Sequence, residues 1–305
     1  MLEEKTRVWT IRSLMKFAID HLQRRGIDEA RLNVELLLSH ALQCQRIELY
    51  TNFDKPLAAE ELKAFRSLYE RRLNREPVQY IVGGASFMGM QFKVDSRVLI
   101  PRPETETLVE QAMLVSQKAG RGQPCSIMEI GTGSGNIVIS LAKFVKGAKL
   151  WTIDVSEEAL ALARENAEYH GVSDRIVFER MDAFEPVDQL LLRRFDLLVS
   201  NPPYVSAGEW EELQQEVRRF EPRVAVSDWK DGFEFYRRLV ELAPYLLRDQ
   251  GTMIVEVGYG QAETVARMMT DAHYEEVGIV PDLQHIPRVV MGKTRSIARN
   301  PGFVN

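Results

Sequence analysis

Cysteine is scarce in this chain: Cys44 and Cys125 are the two present, far apart and outside any Cys-x-x-Cys spacing. That argues against a disulfide framework or a structural zinc site and fits a reducing compartment. His170, His273 and His285 have no metal-ligand spacing and no serine or cysteine companion, and His21 and His40 stand singly, so no metal is expected. No apolar run approaches membrane-spanning length. The charged start, Met1-Leu2-Glu3-Glu4-Lys5, lacks the apolar stretch of a signal peptide. The expectation is a soluble cytoplasmic protein with no membrane partner. Positive charge is not in excess either. Lys and Arg number 39 against 44 Asp and Glu, a net −5, so no direct nucleic-acid partner is expected and Arg218-Arg219 reads as a solvated helix face. A Gly-x-x-x-x-Gly-Lys-[Ser/Thr] loop is missing, which disfavours ATP hydrolysis. The Gly-x-Gly-x-x-Gly spacing of dinucleotide binding is missing too.

What is there suffices for well-formed cores: 45% hydrophobic residues and a length that suggests about two domains. The first stretch reads as helical. Thr10 caps a segment with Ile11, Leu14, Met15, Ala18 and Leu22 on one face, stopped by Gly26. Asp28 is placed to cap a second helix, and a third follows Pro56 with Leu62, Phe65, Tyr69 and Leu73 on one face. From Arg75 the texture changes. Tyr80-Ile81-Val82, Gly83-Gly84 and Gln91-Phe92-Lys93-Val94 suggest a short hairpin. The boundaries read from this are a helical domain over 1–75, a hairpin connector over 76–100, a larger second domain over 101–292 and a polar, poorly ordered tail over 293–305. Within the third region strands alternate with helices: Ser126–Ile130, Lys149–Ile153, Ile176–Glu179, Phe195–Ser200 and Thr252–Val257. Such alternation implies α/β architecture with a doubly wound parallel sheet and ligands at the carboxyl ends of its strands. The last two strands, near Glu275–Val280 and Arg288–Met291, are too close in sequence for a helical crossover and should be antiparallel.

Candidate chemistry sits at four consecutive strand ends. After the first come Gly131-Thr132-Gly133-Ser134-Gly135, where missing side chains let backbone approach a ligand. Asp154 ends the second strand, about 20 residues on, where a carboxylate can accept both hydroxyls of a ribose. Asp182 ends the third, placed to accept from an adenine amino group while the Ala183 N–H donates to a ring nitrogen. The fourth ends in Asn201-Pro202-Pro203-Tyr204. The prolines lack N–H and fix φ, so their carbonyls stay free as acceptors beside the Asn201 side-chain oxygen. Two acceptors next to an aromatic ring suit a planar NH2 group. A nucleoside without pyrophosphate that satisfies all four positions is S-adenosyl-L-methionine. Glu256 fits either a site-facing or a structural carboxylate, and Arg102, Glu104 and Glu106 fit either a lid or a structural tie.

These features resemble the Rossmann-like class I S-adenosylmethionine-dependent methyltransferases. More narrowly, the chain is similar to the bacterial glutamine N5-methyltransferases of peptide chain release factors, the PrmC/HemK type. The narrower likeness rests on Arg75-Glu76-Pro77-Val78-Gln79-Tyr80-Ile81, Leu99-Ile100-Pro101-Arg102-Pro103-Glu104-Thr105-Glu106, Glu221-Pro222-Arg223, Asp231-Gly232, Phe235-Tyr236-Arg237 and Glu256-Val257-Gly258-Tyr259-Gly260-Gln261. It implies a seven-stranded, mostly parallel sheet behind an amino-terminal helical bundle that recognises the substrate. The substrate implied is the glutamine of the Gly-Gly-Gln motif in class 1 peptide chain release factors. Asn201, Pro202 and Tyr204 would be catalytic, Asn201 to Tyr204 would hold the substrate amide, and residues 131–135, Asp154, Asp182, Ala183 and Asn201 would hold the cofactor. Ala183 stands where some relatives carry a tryptophan. Two rivals share the Asn-Pro-Pro-Tyr element: glutamine methylation of a large-subunit ribosomal protein, and adenine-N6 methylation of nucleic acid.

Overall fold

Thr10 opens the first helix as its position predicts. Its hydroxyl accepts the Ser13 N–H (3.3 Å) while the Ser13 hydroxyl accepts the Thr10 N–H (2.9 Å), a reciprocal cap. In the computed structural model, which describes residues 8–119, 124–186 and 191–295, that helix, α1 (Ile11–Arg24), is followed by α2 (Ala30–Leu42), α3 (Arg46–Thr51), α4 (Ala59–Leu73) and α5 (Val78–Val82). The chain up to Gly84, together with Gln214–Phe220, forms one unit; Ala85 to Leu213 and Glu221 onward form the other.

Leu22, Val34, Leu37, Leu38, Leu49 and Phe65 fill the core of the helical unit. Asp28 does not cap α2. Glu29 takes that place in a left-handed conformation, and buried Asn33 reaches back to the carbonyls of Asp28 (3.2 Å) and Glu29 (3.0 Å). Tyr80-Ile81-Val82, expected as a strand, is helical. Pro77 starts the turn, its carbonyl accepts from Tyr80 and Ile81, and burial of Val78 and Ile81 in the helical core outweighs the β preference of these residues. Arg72, 5% exposed, donates to Asn33 Oδ1 (2.6 Å) and Glu216 Oε1 (2.9 Å).

A separate connector over 76–100 is not found: α5 belongs to the helical unit, and from Ala85 the hairpin belongs to the second. Its strands are β1 (Gly84–Phe87) and β2 (Met90–Lys93), joined through Met88 and Gly89, both at positive φ as a tight hairpin turn requires. Asn166 holds β2, accepting from the Lys93 N–H (2.8 Å) and donating to its carbonyl (3.0 Å). Then follow α6 (Thr105–Ala119), β3 (Ser126–Ile130), α7 (Asn136–Phe144), β4 (Lys149–Asp154), α8 (Glu157–Tyr169), β5 (Ile176–Arg180) and β6 (Phe195–Ser200). After these come α9 (Gln215–Phe220), α10 (Arg223–Val226), α11 (Glu234–Leu246), β7 (Leu247–Glu256), α12 (Ala262–Asp271), β8 (Glu275–Pro281) and β9 (Pro287–Lys293).

Seven strands form one sheet in the order β5-β4-β3-β6-β7-β9-β8, parallel except for β9, which runs antiparallel to both neighbours. Apolar clusters cover both faces: Met128, Leu198 and Met253 pack with α11 and α12, while Ile127, Leu197 and Ile254 pack with α6 and α7. This two-sided cover explains why β3 is buried at every position rather than alternating. The strand order reverses between β3 and β6, so Gly131 and Asn201 leave the sheet side by side at the crevice. The polar tail starts later than expected. Lys293 still pairs with Thr252, and buried Thr294 donates its N–H to the Gly251 carbonyl (2.9 Å). Residues 296–305 of that tail lie outside the described residues.

Candidate active site

The strand ends of β3, β4, β5 and β6 surround a cavity of about 250 Å³. Gly131 to Ser134, Asp154, Asp182, Ala183 and Asn201 to Pro203 all line it. Gly131 and Gly133 turn at φ +88° and +52°, and a Cβ added at Gly133 would meet nothing within 4 Å, so the bare backbone is open to a ligand there. Gly135 is not on the lining. Its missing side chain serves packing, since a Cβ would lie 2.9 Å from Ile139 Cδ1 and 3.1 Å from Ala163 Cβ.

Asp154 ties the first two loops together. Its Oδ2 accepts the Gly133 N–H (3.0 Å) and its Oδ1 the Ser156 N–H (2.9 Å). Each oxygen keeps a further lone pair, the right complement for a vicinal diol. Burial pushes this carboxyl up, against the pull of the Gly133 and Ser156 amides. Beneath the loop, the Thr152 hydroxyl donates to buried Glu129 and pairs with Thr132 Oγ1 (2.7 Å). Burial pushes the Glu129 carboxyl up to about 8, with Thr152 opposing and Asp154 adding.

At the third strand end, Asp182 Oδ1 accepts the Phe184 N–H (2.9 Å). Arg238 of α11 clamps the outer side of this turn, donating through Nε to the Ala183 carbonyl (2.7 Å) and through Nη2 to that of Glu185 (2.9 Å). Phe184 and Phe235 meet edge to face at 4.9 Å and give the cavity wall an apolar aromatic patch suited to a heteroaromatic ring.

The fourth strand end carries the amide. Ser200 donates to the Ile130 carbonyl (2.7 Å), locking β6 to β3 just before Asn201. The Asn201 Nδ2 donates to Thr105 Oγ1 at 3.2 Å, which commits the nitrogen and leaves Oδ1 as an acceptor. Tyr204 is not on the cavity lining. Its carbonyl accepts from Gln261 Nε2 (3.0 Å), its ring lies against Gly258, where a Cβ would come within 2.9 Å of Cδ2, and burial pushes its phenol up to about 12, with Glu256 adding. Glu256, 1% exposed, is pushed up to about 7 by burial, with the Thr105 hydroxyl and Arg288 opposing and Glu104 adding. Arg102 pairs with buried Glu221 (2.6 Å), and Glu106 accepts the Met88 N–H (2.6 Å), so both tie segments of this unit together.

Thr105, Arg238 and Phe235 are site residues that the sequence reading did not single out for these roles. Thr105 sits inside the quoted Pro-Glu-Thr-Glu run, but no local signal pairs it with Asn201, 96 positions away. The lining offers a diol acceptor, a turn for a heterocycle edge and acceptors for a planar NH2. This donor and acceptor set fits S-adenosylmethionine beside an amide or amino substrate.

Comparison with known proteins gives the family. A PrmC N-terminal domain model matches residues 13–83 and a methyltransferase domain model matches residues 122–287. A release factor glutamine methyltransferase of Geobacter sulfurreducens is 43% identical over 96% of this chain and 99% of its own length. One of Chlorobaculum tepidum is 45% identical over 94% and 98%. The hMettl16 catalytic domain, solved with a MAT2A 3'UTR hairpin, shares the fold alone, with a TM-score of 0.52, 15% identity and coverage of 78% of this chain and 82% of that one. With its seven-stranded, mostly parallel sheet and its helical first domain, this chain belongs to the release factor glutamine methyltransferase family.

Proposed function

We propose that this protein methylates the side-chain amide nitrogen, N5, of the glutamine in the Gly-Gly-Gln motif of class 1 release factors, in the cytoplasm, with S-adenosyl-L-methionine as methyl donor. The observation that supports this reading is the Asn201 amide: one of its N–H groups is engaged by Thr105, which leaves Oδ1 to accept from a substrate in the cavity that Pro202 and Asp154 also line. The helical unit is assigned to recognition of the factor outside its glutamine loop.

Asp154 would hold the ribose hydroxyls, and the Asp182-Ala183 turn the adenine edge. When bound, S-adenosylmethionine supplies a methyl group on a sulfonium, electrophilic without further activation. An amide nitrogen is a weak nucleophile because its lone pair is delocalised, so the chain's task is alignment. Asn201 Oδ1 and the Pro202 carbonyl accept the two N–H groups, which fixes the nitrogen and favours the partial positive charge it gains. Orientation of this kind is worth roughly 7–11 kcal/mol in well-aligned systems, so no strong base is required. The surplus proton leaves after transfer, when its acidity has risen. The test is mass mapping of purified class 1 release factor after incubation with cofactor, with the large-subunit ribosomal protein and nucleic acid as competitors. A single added methyl group on the Gly-Gly-Gln glutamine is expected; methyl groups appearing only on a competitor would overturn the reading.

A further inference from the structure

We infer that Thr105 and Glu256 form a positioning relay that sets the direction of the Asn201 amide, so that its oxygen and not its NH2 meets the substrate. The inference rests on the amide-transfer reading above and goes beyond it in naming what orients the clamp.

An asparagine side chain is nearly symmetric in shape and opposite in hydrogen-bonding sense at its two ends. Turned the wrong way, Asn201 would present N–H to a substrate NH2, donor against donor. Something must set the sense. Glu256 ends β7, one position beyond Val255, which pairs with Ser200, so it stands level with Asn201 on the neighbouring strand. Thr105, the first residue of α6, is 1% exposed, and Glu256 equally so. A hydroxyl has one proton and two lone pairs. Thr105 Oγ1 accepts from Asn201 Nδ2 at 3.2 Å, and its own proton is left for an acceptor, the role assigned to the Glu256 carboxyl level with Asn201 on β7. The sense of each bond then follows from the last group: carboxylate accepts from hydroxyl, hydroxyl accepts from amide nitrogen, and Oδ1 is left for the substrate. Glu256 Oε2 has no hydrogen-bond partner in the structure, so an acceptor on this carboxyl is open to the Thr105 hydroxyl. Arg288, Arg102, Glu104, Tyr204 and Tyr236 are its charged and titratable neighbours.

Thr105→Val is isosteric and removes the hydroxyl; Thr105→Ser keeps it; Glu256→Gln keeps shape but can donate as well as accept. Titration with S-adenosylmethionine checks that each variant is folded and binds cofactor within about twofold of wild type, since positioning acts on the amide rather than the cofactor. On release factor, Thr105→Val should lower kcat roughly 10- to 100-fold, somewhat less than loss of an oriented group itself, with KM for cofactor unmoved. Thr105→Ser should recover most of that loss, and Glu256→Gln should fall between. Wild-type kcat in Thr105→Val, or a Thr105→Ser variant as impaired as Thr105→Val, would overturn the relay. Wild-type kcat in Glu256→Gln would overturn the part given to Glu256. If wild-type protein methylates no release factor, the functional reading is what fails. The relay is then judged by the Asn201 side-chain NH2 resonance in protein carrying 15N-asparagine, assigned with Asn201→Ala. A shift in Thr105→Val and Glu256→Gln that is absent in Thr105→Ser supports it, and an unmoved resonance sinks it.

Discussion

In the helical unit, buried Arg72 is answered on every side: Asn33, the Glu76 carbonyl and Glu216 all take its protons. Burial would push the Glu216 carboxyl up, but the Arg72 hydrogen bond and Arg75 hold it below the usual range. In the catalytic unit, Glu129 and Glu256 are equally buried, yet each has one oxygen with no hydrogen-bond partner in the structure, and both are pushed well up. Glu129 stands near the carboxyl end of β3, which edges the cavity, and Glu256 ends β7, the neighbour of β6. A paired buried charge has its desolvation cost offset by its partners and is costly to break; a desolvated acid short of partners costs stability and tends to mark a working site. The contrast sets a fully partnered buried charge against two buried acids that each keep an unpartnered oxygen.

Removing the partner in the first unit should produce the largest effect on stability. Arg72→Ala strands Glu216 and Asn33, and a loss of roughly 3–5 kcal/mol is expected in denaturant unfolding. A change below about 1 kcal/mol would mean that this pair is no better than a surface one and would break the comparison. At the cavity, Asn201→Ala should cut kcat by roughly 10²–10³ and leave the cofactor dissociation constant nearly unmoved, as loss of one preorganised group does. Asp154→Ala should show the opposite split. Binding calorimetry is expected to read a roughly 10- to 100-fold weaker cofactor, because two backbone N–H groups also lose their acceptor.

The smallest effect sharpens the comparison through pH. The Glu129 carboxyl titrates near 8 when folded and near 4.5 ordinarily. Below about 4.5 both states hold the proton and its full contribution to stability is present. As pH rises toward about 8 the unfolded chain releases a proton that the folded one keeps, so that contribution is lost. Glu129→Gln removes the slope, so its stability relative to wild type should rise on the order of 1–2 kcal/mol between about pH 6 and pH 8. A flat difference across that range would show that the acid is not desolvated. Glu216, held low, should give the reverse trend, with its contribution present above its unfolded value and lost as the pH falls through the folded one.

Much of this was legible in the chain because short-range rules carry it. Thr10 and its apolar face, the strand cores, the glycine turn and the stiff Asn-Pro-Pro exit each depend on neighbours a few positions away. Where the reading failed, a distant contact had overridden a local preference. Tyr80-Ile81-Val82 looks like a strand, but helical packing of Val78 and Ile81 wins. Asp28 looks like a cap, but Asn33 buries itself across that position instead.

The order of residues alone settled the alternation of strand and helix and the stiff, acceptor-rich exit at Asn201-Pro202-Pro203, since periodicity and backbone chemistry are local properties. Tertiary structure decided which way those acceptors face. Thr105 reaches Asn201 across 96 positions, Arg238 reaches the Ala183 turn across 55, and Glu256 arrives from the strand beside β6. Hydrogen-bond direction depends on the partner a folded chain supplies, and no spacing along the sequence records it.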